Sequence, residues 1–177
     1  MQTGAVGIIG AIGLIASVGC ADMHGAGGAS TKAMEKPGPA QGYTVHVVAP
    51  HKFEDGTVHG PYHHYCKPIS QDVIQCLLFE STDPNALLTD IEYFVSKSIS
   101  RSQVPLDTWN KYYHDHEAEI ATGRVQVLDM PEAQAKEIAA AAAKTDGIIF
   151  HLWPSGAKAP NGEVGHPQAV GHKPRTE

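Results

Sequence analysis

An α+β fold with a mostly antiparallel sheet is the architecture this sequence predicts, and three observations carry the prediction. Short segments of strand-like alternation recur between residues 43 and 153, turn-forming residues separate most of them, and one alanine-rich helix stands late in the series. The expected body is a sheet of about five or six strands carrying about two helices, followed by an irregular tail.

Tyr43-Thr-Val-His-Val-Val48 alternates as a strand and is expected to stop at Pro50. A polar, glycine-bearing loop then runs from His51 to Gly60. Tyr62-His-His-Tyr-Cys66 and Val73-Ile-Gln-Cys-Leu-Leu-Phe79 read as strands around the turn signals Pro68, Ser70 and Asp72, and the second is apolar on both faces, as a central strand is. After the turn Asp83-Pro84-Asn85, the segment Asp90-Ile-Glu-Tyr-Phe-Val95 places Ile91, Tyr93 and Val95 on one side and a partly buried Glu92 beside Phe94 on the other. A helix is expected from Pro105, and Arg124-Val-Gln-Val-Leu128 is another strand. Asp129-Met-Pro-Glu132 has the form of a helix start, with Asp129 as N-cap, so the spacing predicts a helix from Pro131 to Lys144 that Gly147 closes. Ile148-Ile-Phe-His-Leu-Trp153 is the last strand, and residues 155–177 form a Gly, Pro and His rich tail partly packed on the domain.

With 177 residues, 42% of them apolar and 18% charged, the chain suits one globular domain plus extensions. A net charge of −6 and the lack of any Lys or Arg block exclude the electrostatic footprint of a nucleic-acid binder. Eleven histidines are many, but His24, His166 and His172 sit in the expected flexible ends, so abundance alone marks no site. The apolar run from Ala5 to Gly19 has the length of a signal-peptide core and ends in Ser17-Val18-Gly19-Cys20, which resembles a bacterial lipoprotein signal with Cys20 as the lipidated residue. An ordinary cleaved signal and an uncleaved anchor are the alternatives. Residues 21–42 read as a flexible tether. These features imply an exported protein of the bacterial cell envelope, attached to the membrane through an N-terminal lipid.

The chemistry concentrates in Trp109-Asn-Lys-Tyr-Tyr-His-Asp-His-Glu-Ala-Glu-Ile120. Were the helix from Pro105 continuous, His114 and His116 would point about 200° apart and share no ion, leaving His116 and Glu119 as an i, i+3 pair. Were it to stop near Tyr113, the extended chain would put His114 and His116 on one side, and a shared ion becomes possible. The metal hypothesis combines His114, His116 and Glu119 with His64 or His151 around a divalent ion such as zinc. Against it stands a purely structural reading, in which these histidines bond backbone or carboxylates and pack on Trp109 and Trp153. Cys66 and Cys76 are a candidate disulfide. Direct pairing requires a hairpin centred on Gln71, whereas the turn signals favour a centre nearer residue 70, and free buried cysteines are the other outcome.

His63-His64-Tyr65-Cys66, Gln75-Cys76, Ile91-Glu92-Tyr93, His114-Asp-His116-Glu-Ala-Glu119-Ile120, His151-Leu-Trp153 and Pro167-Gln168 occur in the order seen in the plant oil-body-associated proteins and their bacterial relatives. The resemblance spans residues 63–168. It implies a domain without an assigned biochemical activity, whose plant members associate with lipid droplets, and it transfers no catalytic residues. The expectation is therefore an envelope protein with a binding or structural role, taking lipid or a small apolar ligand; the alternative is a metal-dependent enzyme built on His114, His116 and Glu119, with Glu92 or Glu119 as base.

Overall fold

The computed structural model describes residues 38–153 and 157–177. Cys20, the apolar run before it and most of the expected tether lie outside the described residues. Eight strands form one antiparallel sheet: β1 (Val45–Lys52), β2 (Val58–Pro68), β3 (Val73–Phe79), β4 (Leu88–Ser96), β5 (Tyr113–Asp115), β6 (Gln126–Leu128), β7 (Thr145–His151) and β8 (Gln168–Ala169). Their order is β5-β7-β4-β3-β2-β1-β6, with β8 also on β1. Helices α1 (Lys97–Gln103), α2 (Leu106–Tyr112), α3 (His116–Ile120) and α4 (Glu132–Ala142) make four where about two were expected. A short 3-10 turn, Pro39–Gly42, precedes β1.

The sheet curls so that its two flanks approach each other. β8 pairs with β1 and packs beside β5, and the Gln168 amide donates to the Lys111 carbonyl at 2.9 Å. The tail is thus anchored rather than loose. Asn110 and the Arg175 backbone exchange hydrogen bonds of 2.9 and 2.7 Å, His166 reaches the Ile149 carbonyl at 2.9 Å, and His172 tilts against Trp109.

β1 does not stop at Pro50. It continues through His51 and Lys52, pairing with β6 at His46–Val48 and with β8 at His51–Lys52. Pro50 falls in the gap between those partners, where its missing N–H leaves no ladder bond unmade. The register with β2 slips between Ala49 and His51, opposite Gly60 and Pro61. The β2–β3 hairpin pairs Cys66 directly with Cys76, so it is centred on Gln71, one residue beyond the centre the turn signals favour, and the two cysteines are disulfide-bonded. Ile69 and Ser70 both donate to the Val73 carbonyl, which tightens the loop and sets that register.

The serine-rich α1 has little intrinsic helix propensity and no alternation to announce it. It forms because its side chains bond outward: Ser100 Oγ donates to Asp146 at 2.6 Å, and Arg101 clamps both Asp146 oxygens at 2.8 and 3.0 Å. Trp109 Nε1 donates to the same buried carboxylate at 2.9 Å. Burial alone raises the Asp146 carboxyl, but the bonds from Arg101, Ser100 and Trp109 outweigh it and hold it below the usual carboxylate range.

Two local expectations around α4 are corrected. Asp129 does not cap the helix: it adopts φ 61° and accepts from His46 Nδ1 at 2.6 Å, leaving Pro131 at the N-cap position. Gly147 does not close it either, because α4 ends at Ala142 and Gly147 lies inside β7.

Candidate metal centre

The inner, concave face of the sheet carries the side chains that converge. In β4, Asp90, Glu92 and Phe94 point inward; in β2, Tyr62, His64 and Cys66; in β1, Val47, Ala49 and His51. Glu92 lies at the middle, 2% exposed. Its Oε1 is 3.1 Å from His114 Nε2 and 3.2 Å from His116 Nε2, and its Oε2 is 3.3 Å from His64 Nε2. His51 Nε2 stands 3.1 Å beyond, against His64 Nε2.

How His114 and His116 come to one carboxylate is a matter of local conformation. α2 ends at Tyr112, residues 113–115 run extended as β5, and α3 starts at His116, so the two histidines share a side while Asp115 faces away. Asp115 holds that break in place. Its carboxylate accepts from Lys97 at 2.7 Å, from Arg101 at 2.8 Å, and caps α3 by accepting from the Glu117 N–H at 2.8 Å. Of the two geometries open to this stretch, the interrupted helix is the one formed.

Gly147 makes the approach possible from the other side. It pairs with His114 on one flank and Phe94 on the other. A Cβ there would lie 2.6 Å from Glu92 Oε1 and overlap His114 Nε2. Only glycine leaves room for imidazole and carboxylate to meet over this strand.

The outer nitrogens of two histidines settle what the inner ones carry. Thr145 Oγ1 donates its hydrogen to the Ala142 carbonyl at 2.7 Å, so at 2.8 Å it accepts from His116 Nδ1–H. The Tyr62 carbonyl likewise accepts from His64 Nδ1–H at 3.0 Å. A neutral imidazole has one N–H, so His116 Nε2 and His64 Nε2 present lone pairs to the oxygens of Glu92. Lone pair facing lone pair needs something positive between them: either second protons on the imidazoles, which then donate to Glu92, or a cation.

Among the described residues two sets of three donors fit a cation, His51 with His64 and Glu92, and Glu92 with His114 and His116; both are fully buried and meet at the one carboxylate. Nitrogen and carboxylate oxygen in this proportion suit zinc and other divalent transition ions. Burial pushes Glu92 upward, but the imidazoles of His114, His116 and His64, within hydrogen-bonding distance and donors to it when protonated, overcome that and hold it well below the usual range. Burial also lowers His51 well below its ordinary value, helped by His64. For His64, burial acts downward while the Glu92 hydrogen bond and charge outweigh it, so its value is raised.

Of the residues named from sequence for the metal, His114, His116 and His64 stand around Glu92. Glu119 is buried but its Oε2 is 4.0 Å from His114 Nε2, outside both donor sets. His151 is outside them too, bonding Asp90 at 2.7 Å through Nδ1. His51 was not named. Its place within the strand was hidden by Pro50, and only the β1–β2 register brings it opposite the site.

Burial drives the Glu119 carboxyl up to about 7, with Glu92 adding and His114 and His64 opposing. Above its unfolded value of 4.5, the folded form holds a proton that the unfolded form has lost, so stability falls as pH rises from 4.5 to about 7. At about 1.4 kcal/mol for each pH unit the group costs up to ~3 kcal/mol at pH 8. Urea unfolding of metal-stripped protein is expected to show Glu119→Gln recovering most of that loss at pH 8 and little at pH 4.5. Equal effects at both pH values would show that Glu119 does not titrate as its burial requires.

Comparison with known proteins places the chain. Residues 38–172 match a family model described as protein of unknown function (DUF1264). The chain is 30% identical to oil body-associated protein 1B of Arabidopsis thaliana over 125 residues, 70% of this chain and 51% of that protein. It is 32% identical to oil body-associated protein 2B of Zea mays over 91 residues, 51% of this chain and 36% of that protein. The chain spans about half or less of the length of these relatives, and no solved structure matches it. The matched segment contains His51, His64, Glu92, His114 and His116, and the chain belongs to the DUF1264 family.

Proposed function

We propose that this protein is a divalent-metal-binding member of its family, carried on the cell envelope by a lipid anchor. The observation that supports the metal is the fixed tautomers of His116 and His64: both turn Nε2 lone pairs toward a buried carboxylate. Partners that orient the outer nitrogen of a histidine are the usual second layer of a metal site. The test is titration of metal-stripped protein with zinc, cobalt(II) and manganese(II), followed by calorimetry and melting temperature. Binding that raises the melting temperature, and that His114→Ala and His116→Ala each weaken by ~100-fold or more, is expected. Unchanged binding in both variants would sink the reading.

Export and lipidation rest on Ala5–Gly19 and Cys20 in the sequence, and a disulfide between Cys66 and Cys76 suits an oxidising compartment. Incorporation of a labelled fatty acid into the wild type and its loss in Cys20→Ala is the expected result. Equal labelling of the two would contradict Cys20 as the anchor.

A further inference from the structure

At the end of the curled sheet where β1, β3 and β7 finish and β2 and β4 begin, the strand termini surround a cleft of about 380 Å³, a size within the roughly 300–1,000 Å³ of small-molecule sites. The rings of Phe53, Tyr62 and Trp153 line it, together with Glu80, His59 and His151. It shares no residue with the two donor sets around Glu92.

His151 is the polar group left unanswered there. It is 8% exposed, and its Nδ1–H donates at 2.7 Å to Asp90, whose other oxygen accepts from Thr89 Oγ1 at 2.6 Å. Nε2 is buried as well and has no hydrogen-bond partner among the described residues. Asp90 holds Nδ1 on the β4 side, and a Cβ at Gly165 would stand 3.9 Å from Cδ2, so Nε2 lies at the free end of the ring. In the neutral imidazole this nitrogen is a lone pair. His59 is fixed in a similar way. Thr57 Oγ1 gives its hydrogen to Asp55 at 2.6 Å and so accepts from His59 Nε2–H at 2.9 Å, which leaves Nδ1 as an acceptor.

The cleft therefore offers acceptors and aromatic rings. Trp153 Nε1–H is already given to the Ala157 carbonyl at 3.1 Å and the Thr89 hydroxyl to Asp90, and among the described residues no Lys or Arg lines the space. Of these side chains only the Tyr62 hydroxyl can still donate. Imidazole lone pairs, the Glu80 carboxylate and three aromatic rings all favour one kind of guest, a cation that brings its own N–H groups. We propose that the cleft binds a protonated primary amine on a small apolar or aromatic group, its ammonium donating to His151 Nε2 and its charge held by Glu80 and the rings of Phe53 and Trp153. An anion would meet a carboxylate and almost no donors. A neutral alcohol satisfies His151 but forgoes the attraction of Glu80 and the rings for charge.

The experiment is an NMR-monitored titration of the full chain at pH 7 with four probes that share a ring and differ in head group: benzylammonium, benzyltrimethylammonium, benzyl alcohol and benzoate. Benzylammonium is expected to bind tightest, about tenfold tighter than benzyl alcohol, with benzoate weakest. Benzyltrimethylammonium keeps the charge but has no N–H, and is expected to bind about threefold or more weakly than benzylammonium. His151→Phe is expected to bind these two cations equally. Trp153→Leu is expected to weaken benzylammonium about tenfold and Glu80→Gln about threefold. Trp153 is half-buried and Glu80 exposed, so the fold tolerates both changes. Benzyl alcohol or benzoate binding as tightly as benzylammonium, no binding of benzylammonium, or equal affinities of the wild type and Trp153→Leu would each overturn the proposal. Benzyltrimethylammonium bound by the wild type as tightly as benzylammonium would overturn the hydrogen bond to His151. Benzylammonium binding that disappears when metal is stripped with a chelator would put the amine on a metal ion instead and overturn the cleft as its site.

Discussion

Glu92→Gln is expected to remove metal binding by at least ~100-fold while leaving the sheet intact. The amide keeps the shape of the carboxylate but replaces a charged oxygen with an NH2 group. In the native protein both oxygens of Glu92 are committed: Oε1 faces His114 and His116, and Oε2 faces His64. Either orientation of the amide puts an NH2 group into one donor set and leaves the other with a neutral oxygen in place of a charged one, so both sets are weakened. Stability of the metal-free variant should change far less than affinity, because the amide NH2 can donate to whichever Nε2 lone pair it meets. Competition against a chromophoric chelator measures the affinity and urea unfolding the stability. Metal bound as tightly by Glu92→Gln as by the wild type would mean the ion sits elsewhere.

Gly147→Ala, a change of one methyl group, is expected to cost about 2–3 kcal/mol and to weaken the metal site as well. The added Cβ lies 2.6 Å from Glu92 Oε1 and overlaps His114 Nε2. Both neighbours are buried and held, so neither can swing aside as an exposed side chain would. In an ordinary strand the same substitution gains stability, because glycine is the weaker strand residue. The sign of the change is therefore diagnostic. Gly165→Ala is the control, since its Cβ would meet nothing nearer than His151 Cβ at 3.5 Å, and it is expected to move stability by no more than about 0.5 kcal/mol. Equal effects of the two substitutions would show that β7 does not press on the site.

Which parts of this were legible in the sequence follows from the range of the interactions. β3 and β4 announce themselves by local alternation, and α4 by alanine propensity, so these elements and the α+β class could be read directly. His114 and His116 drew attention because they are two residues apart. Glu92 was named as a candidate base beside them but not as the carboxylate on which they converge: it precedes His114 by more than twenty residues, and only the β4–β7–β5 pairing puts the three together. Glu119, being close in sequence, took its place in the expectation. Gly147 illustrates the same limit. Following a helix, it reads as a helix stop, and its real constraint, the room needed by Glu92 and His114, exists only in three dimensions. α1 was missed because serine says little locally, and its stability comes from a carboxylate on β7.

Metal content of protein purified without a histidine tag or chelator tests the central claim most directly. Elemental analysis of the segment Lys36–Glu177, a compact unit of the chain, is predicted to find between one and two equivalents of a divalent transition ion. Glu92→Gln prepared in parallel is predicted to carry almost none. A wild-type protein free of metal that also fails to acquire any on incubation with zinc, cobalt(II) or manganese(II) would contradict the account, and the convergent imidazoles would then be a hydrogen-bonded core of protonated histidines around Glu92.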